Sequence, residues 1–164
     1  MKGKQVARYG MLVALACVFG FVESMIPIQI GVPGVKLGLA NLVTMVSLYT
    51  ISLSGTLFVA VVRVLLTGLT FGGMSAMLYS MAGCILSLLF MIPAKKSGKF
   101  SMVGVSILGG VGHNIGQMTM AMLVLQNTSI RYYFFVLMIA GTVSGFLIGV
   151  MGGLIVKRIV KIIK

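Results

Sequence analysis

Aspartate is absent from this 164-residue sequence, and glutamate occurs once, at Glu23. Paired-carboxylate hydrolysis, Asp-rich magnesium-diphosphate sites and carboxylate cages for hard cations all need acids that the chain does not have. Charge of either sign is scarce as well: 9% of residues are charged, against about 25% in a soluble domain. The sequence is 59% hydrophobic, with a mean hydropathy of +1.16. That leaves too little polar surface to cover a water-soluble globule, and too much apolar content for disorder. A soluble enzyme and a soluble nucleic-acid binder are excluded together. The net charge of +12 comes from an ordinary 13 Lys and Arg set against missing acids. Cysteine is limited to Cys17 and Cys84. Both lie in apolar stretches without a CxxC pattern, and they read as buried small residues rather than a disulfide or zinc site. No catalytic residue, metal site or cofactor is expected.

What remains is the composition of an all-α, polytopic integral membrane protein. A helix needs about 20 apolar residues to cross the bilayer core. Breaks at Pro, Gly and charge clusters mark six transmembrane helices in one compact bundle, a single domain over residues 1–164, with spans near 6–25, 35–52, 54–72, 74–93, 101–126 and 132–156. The basic residues Lys2, Lys4 and Arg8 before the first span give it the look of a secretory signal. With no small-residue cleavage site after it, it reads as a retained first helix. Loops are expected at Pro27–Gly34, Ser52–Gly55, Thr70–Gly73, Ala94–Phe100 and Asn127–Arg131. The first is too apolar for a solvated loop and too rich in Pro and Gly for a helix, which suits a lid folded over the bundle.

Basic residues set orientation. With the N-terminus in the cytoplasm, Lys2, Lys4, Arg8, Lys95, Lys96, Lys99, Lys157, Arg158, Lys161 and Lys164 fall inside, and Lys36 and Arg131 fall outside. The expectation is a multi-pass protein of the plasma (cell) membrane with both termini cytoplasmic and its basic face against anionic lipid.

Ionisable groups in a membrane are costly, so they pair or line a wet cavity. Arg63 falls mid-span, and Glu23 is the one acid that can neutralise it. An ion pair from Glu23 to Arg63 or to Lys36 is the simplest arrangement, but one acid cannot serve both cations. The surplus positive charge of Lys36 and Arg63, with Arg131 as a further cation on the outer side, points to an anionic ligand, which a guanidinium grips in bidentate geometry. His113, Asn114 and Gln117 lie within about one helical turn and are poor company for lipid. They form either an interhelical clamp or part of a binding site. A lone His cannot close a metal sphere, and no acid is present to orient it in a nucleophilic triad. Asn41 and Thr44 follow Lys36 on the second span. Thr70, Tyr79 and Ser80 surround the Thr70–Gly73 turn. The Pro33–Gly38 stretch lacks the GxxxxGK[ST] spacing of a phosphate loop.

Small residues allow helices to approach closely in lipid. Gly141, Gly145, Gly149 and Gly153 recur at steps of four, a face for packing within the bundle. Ala7, Gly10, Ala14 and Cys17 form a stripe on the first span, suited either to packing inside the bundle or to docking another membrane subunit. Ala16 and Gly20 make a second small pair.

The run Pro33-Gly34-Val35-Lys36-Leu37-Gly38-Leu39-Ala40-Asn41-Leu42-Val43-Thr44, the turn Gly68-Leu69-Thr70-Phe71-Gly72 and the box Gly112-His113-Asn114-Ile115-Gly116-Gln117 together resemble the Gx transporter family. That family is also labelled heptaprenyl diphosphate synthase component I, and the resemblance covers nearly the whole chain. It implies kinship with the substrate-binding S components of energy-coupling factor transporters, which are six-helix capture subunits. These dock on a transmembrane coupling subunit, served by ABC-type ATPases, through small residues of the first helix, often AxxxA. Gly10 and Ala14 are the nearest match here, with Ala7 and Cys17 on the same stripe.

The expected function is therefore a non-enzymatic, S-component-like capture subunit for a small anionic or amphipathic organic molecule arriving from outside. Lys36, Asn41, Arg63, His113, Asn114 and Gln117 would bind it, while Ala7, Gly10, Ala14 and Cys17 would dock the coupling subunit; nucleic acid is not an expected partner. The alternative is a non-catalytic membrane subunit of heptaprenyl diphosphate synthase in an isoprenoid-quinone pathway. A chain without Asp cannot be the prenyltransferase itself.

Overall fold

The computed structural model describes residues 2–25 and 38–163. Among them every regular element is helical: α1 (Lys2–Met25), α2 (Leu39–Thr50), α3 (Leu53–Thr67), α4 (Gly73–Ser97), α5 (Met102–Leu125) and α6 (Phe134–Ile163). A π-helical turn, Gly68–Gly72, joins α3 to α4, and a 3-10 turn, Thr128–Tyr133, leads into α6. Three continuous helical stretches are long and apolar enough to cross a membrane: Gly3–Met25, Leu53–Ser97 and Thr128–Lys161.

The helix ends have local causes. Ser52 and Ser101 cap α3 and α5 by accepting from the amides of Gly55 and Gly104, each at 3.2 Å, which satisfies donors that the first turn leaves orphaned. Gly98, at φ +67°, closes α4 in the left-handed conformation that glycine adopts without penalty. This α4 end corrects the expected loop at Ala94: the helix runs through Pro93 to Ser97. The continuation brings Lys95 to the end of α2, where its ammonium donates to the Leu48 carbonyl and lies 4.7 Å from the Tyr49 ring centre. A cation at a helix C-terminus satisfies an orphan carbonyl and opposes the dipole.

Pairings between elements set their directions. Tyr9 lies against Gly55 and Gly20 against Thr67, so α1 and α3 run parallel. Ala60 and Val64 pack with Cys84 and Leu88, which makes α3 and α4 an antiparallel hairpin turning at Gly73, where φ is +74°. Gly116 meets Ala82 and Gly109 meets Met91 on antiparallel α4 and α5. Gly149 meets Val103 and Gly110 meets Gly141 on antiparallel α5 and α6. The starts of α1, α3 and α5 and the ends of α2, α4 and α6 therefore share one end of the molecule. That end carries Lys4, Arg8, Lys95, Lys96, Lys99, Lys157, Arg158 and Lys161. The opposite end holds Glu23, the π turn and the 3-10 turn.

α2 sits in the middle. Eight of its residues, from Ala40 to Leu48, are buried. Its core contacts reach α1 and α3 on one side, and α4, α5 and α6 on the other. With 12 residues it is about 18 Å long at 1.5 Å per residue, short of a hydrocarbon core of about 30 Å. The span expected over 35–52 is thus, in its described part, a short internal helix. A helix that is apolar all round belongs inside, and that position forces the polar side chains of α2 inward too. Outside, α6 exposes Phe135, Ile139, Val143, Phe146, Val150 and Leu154 along one helical face. So long an apolar stripe is foreign to a monomeric surface in water.

Candidate ligand site around Arg63

Arg63 belongs to α3 and is 6% exposed, deep in the contact of α3 with α2 and α4. Its Nη2 donates to the Asn41 Oδ1 of α2 at 3.0 Å. Cys84 of α4 and Cys17 of α1 lie within electrostatic range of the guanidinium. The Nε is buried and makes no hydrogen bond. Thr44, one turn beyond Asn41 on α2, is 5% exposed, and its Oγ1 is likewise buried without a partner. Helical threonines commonly satisfy this oxygen on a carbonyl one turn back, as Thr67 does on Arg63 O at 2.9 Å. Thr44 does not.

The expected neutralisation of Arg63 by Glu23 is not present. Among the described residues no ion pair forms, and Glu23 instead accepts from the Gly38 amide at the start of α2. There it complements the positive end of the α2 dipole and ties the end of α1 to α2. Arg63 is left a nearly water-free cation whose hydrogen-bonded partner is a neutral amide. Burial of an ion is tolerated where it is paired and hydrogen-bonded, and a guanidinium carries five donors in a planar fork.

The α5 box divides. His113 and Gln117 lie against α4: a Cβ added to Gly83 would fall 2.8 Å from His113 O, 2.9 Å from its Cε1 and 2.9 Å from Gln117 Cγ. Asn114 points the other way and donates from Nδ2 to Leu137 O of α6 at 2.6 Å, a clamp between α5 and α6. Gly83 adjoins Cys84, so His113 and Gln117 meet α4 at the same level as Arg63. The expected group of binding residues thus comes together in part. Asn41 and Arg63 are bonded, His113 and Gln117 stand at their level across α4, and Asn114 is engaged elsewhere. Lys36 and the lid expected at Pro27–Gly34 lie outside the described residues. Arg131 is exposed in the 3-10 turn, its guanidinium 5.5 Å from the Tyr132 ring centre. Thr70 donates to Leu66 O at 2.6 Å within the π turn. Thr44 was visible in the sequence only as one ordinary threonine. Its unpartnered hydroxyl emerges once α2 is enclosed.

The family model for heptaprenyl diphosphate synthase component I matches residues 12–155. The chain belongs to this family. No curated protein and no solved structure matches it. The stretch shared with the component I family takes in Asn41, Thr44, Arg63, Cys84, His113 and Gln117, and begins after Ala7 and Gly10. Those two residues and Ala14 are exposed on α1, and a Cβ added to Gly10 would meet nothing within 4 Å. Ala16, by contrast, is wholly buried, and a Cβ on Gly20 would lie 2.9 Å from Thr67 Cγ2. The first helix therefore has two small-residue faces, one used against α3 and one open.

Proposed function

We propose that this member of the component I family is a multi-pass subunit of the plasma membrane that captures a small anionic or amphipathic organic molecule. Its basic end and both termini lie in the cytoplasm, as the gathering of lysines and arginines at one end supports. The molecule enters from the opposite side and is held by Arg63, oriented by Asn41, His113 and Gln117, with Lys36 adding charge from the sequence that precedes α2. The single observation that carries the reading is Arg63: a cation 6% exposed, among helices, with no acid and with Nε unpartnered. A purely structural role would leave that cost uncompensated, whereas an anion entering the site offsets it. The open stripe of Ala7, Gly10 and Ala14, with the half-buried Cys17 at its end, is suited to a transmembrane coupling subunit, and transport then depends on ABC-type ATPases supplied in trans.

The family's name favours a second reading, a non-catalytic membrane component that works beside a prenyl diphosphate synthase. The absence of Asp in the chain agrees with an accessory role in that reading also. An affinity pull-down of the tagged protein from native membranes in mild detergent, with partners identified by mass spectrometry, separates the two. Recovery of a coupling subunit with ABC-type ATPases is the expected result. Recovery of a soluble prenyl synthase in their place overturns the transport reading.

A further inference from the structure

We infer that the basic end of the molecule is a binding surface for anionic phospholipid, with Lys4 and Arg8 at the start of α1 as the cations that the fold itself uses least. The inference rests on the chain's residence in a bilayer and is independent of what the Arg63 site takes. Of the eight cations described at that end, Lys95 serves the packing, donating to the Leu48 carbonyl beside the Tyr49 ring. The other seven are exposed. None has an acidic side chain to pair with, since Glu23 is the one acid in the sequence and stands at the opposite end. The anion that neutralises them comes from outside the chain.

The helix dipoles divide these cations. Lys96 lies in the last turn of α4 and Lys161 in that of α6, where positive charge is favourable. Lys4 lies in the first turn of α1, where the dipole is already positive and no acid is present. Arg8 follows four residues on, which makes a like-charged pair on one helical face and costs the helix stability. An anion bound there relieves both costs. The surroundings favour a lipid over a soluble acidic protein. Exposed Val6 and Met11 flank Lys4 and Arg8, Phe100 follows Lys99, and exposed Val160 precedes Lys161. A phosphodiester takes the charge while its acyl chains cover the apolar neighbours, and carboxylates on a soluble protein do only the first.

The test uses the full chain purified in mild neutral detergent, with phosphatidylglycerol or phosphatidylcholine of the same acyl chains added. Retained lipid is read by native mass spectrometry, and stability as the unfolding temperature. Phosphatidylglycerol is expected to be retained in preference and alone to raise the unfolding temperature. Both effects fade as salt approaches about 1 M, where the screening length is about 3 Å. Lys4→Gln with Arg8→Gln weakens phosphatidylglycerol binding by about fivefold for each cation removed, while unfolding without lipid stays where it was or moves up. Lys95→Gln does the reverse: it lowers the unfolding temperature without lipid and keeps the lipid preference. Equal retention of the two lipids overturns the surface and leaves its cations to topology. Protection as large from inorganic phosphate or from poly-glutamate overturns the lipid as the partner. Unchanged binding in the Lys4 and Arg8 variant overturns the part given to α1. The capture reading stands or falls separately, by the partners recovered in the pull-down.

Discussion

The α4–α5–α6 side of the molecule and the α2–α3 contact are built from opposite materials. On the first side, glycines remove side chains until backbones touch. A Cβ on Gly145 would fall 2.7 Å from Ile107 Cα and 2.8 Å from Ser106 O, and one on Gly116 2.8 Å from Gly83 Cα. In the α2–α3 contact, polar side chains are buried with donors to spare, at Arg63 and Thr44. Close packing supplies dispersion where lipid supplies no hydrophobic drive between helices. A buried cation with a neutral partner supplies no stability, since its desolvation exceeds what one amide returns. One side holds the fold, and the other is kept at a cost to it.

Substitutions on each side test that division. The largest effect is expected from Gly145→Ala, because the new methyl meets backbone that cannot rotate away. A loss of about 1–3 kcal/mol or more is expected, read as a lower unfolding temperature in detergent. Arg63→Met keeps the length of the side chain and removes the buried charge. It is expected to fold, with stability unchanged or raised by about 1 kcal/mol, while, on the capture reading proposed above, uptake by cells expressing it with its coupling partners falls to background. A marked loss of stability with uptake retained would reverse the assignment of the two sides. Asn114→Ala removes the clamp to Leu137 O and is expected to cost about 0.6–1.7 kcal/mol, the range of hydrogen bonds between membrane helices, with capture retained. Thermal unfolding and uptake measured together separate it from Arg63. Gly153→Ala is the smallest. This glycine shares the register of Gly141, Gly145 and Gly149, but a Cβ there meets nothing within 4 Å. Unfolding should shift by no more than about 0.5 kcal/mol.

Gly153 also marks how far spacing can be read. Steps of four identify a face, and three of the four glycines on it do meet another helix, yet α6 outruns α5 and the last stands clear. The His113–Gln117 box divides for a related reason. Successive residues of a helix are about 100° apart, so His113 and Asn114 face different neighbours when a helix is enclosed on two sides. Sequence spacing shows that such residues share a helix; it is silent on what stands opposite. Of the two partners expected for Glu23, Arg63 is bonded to Asn41 instead, and Lys36 lies outside the described residues. The Gly38 amide at the start of α2 is a partner visible only once the helix is seen to begin there. Thr44 stands in the sequence as one ordinary threonine after Asn41, since an unpartnered hydroxyl is a property of its surroundings.

Composition by itself determined the helical class and the absence of carboxylate chemistry, because both follow from which side chains exist. It also marked Arg63 as a cation in apolar surroundings and the lysines as clustered along the chain. The tertiary structure decided that α2 is an internal helix of 12 residues, that Arg63 bonds Asn41 rather than Glu23, and that α1 has one small-residue face in use and one open. Those outcomes depend on which helix lies against which. In a chain this apolar many faces can be buried, and shape complementarity between glycines and backbone, rather than hydrophobicity, selects among them.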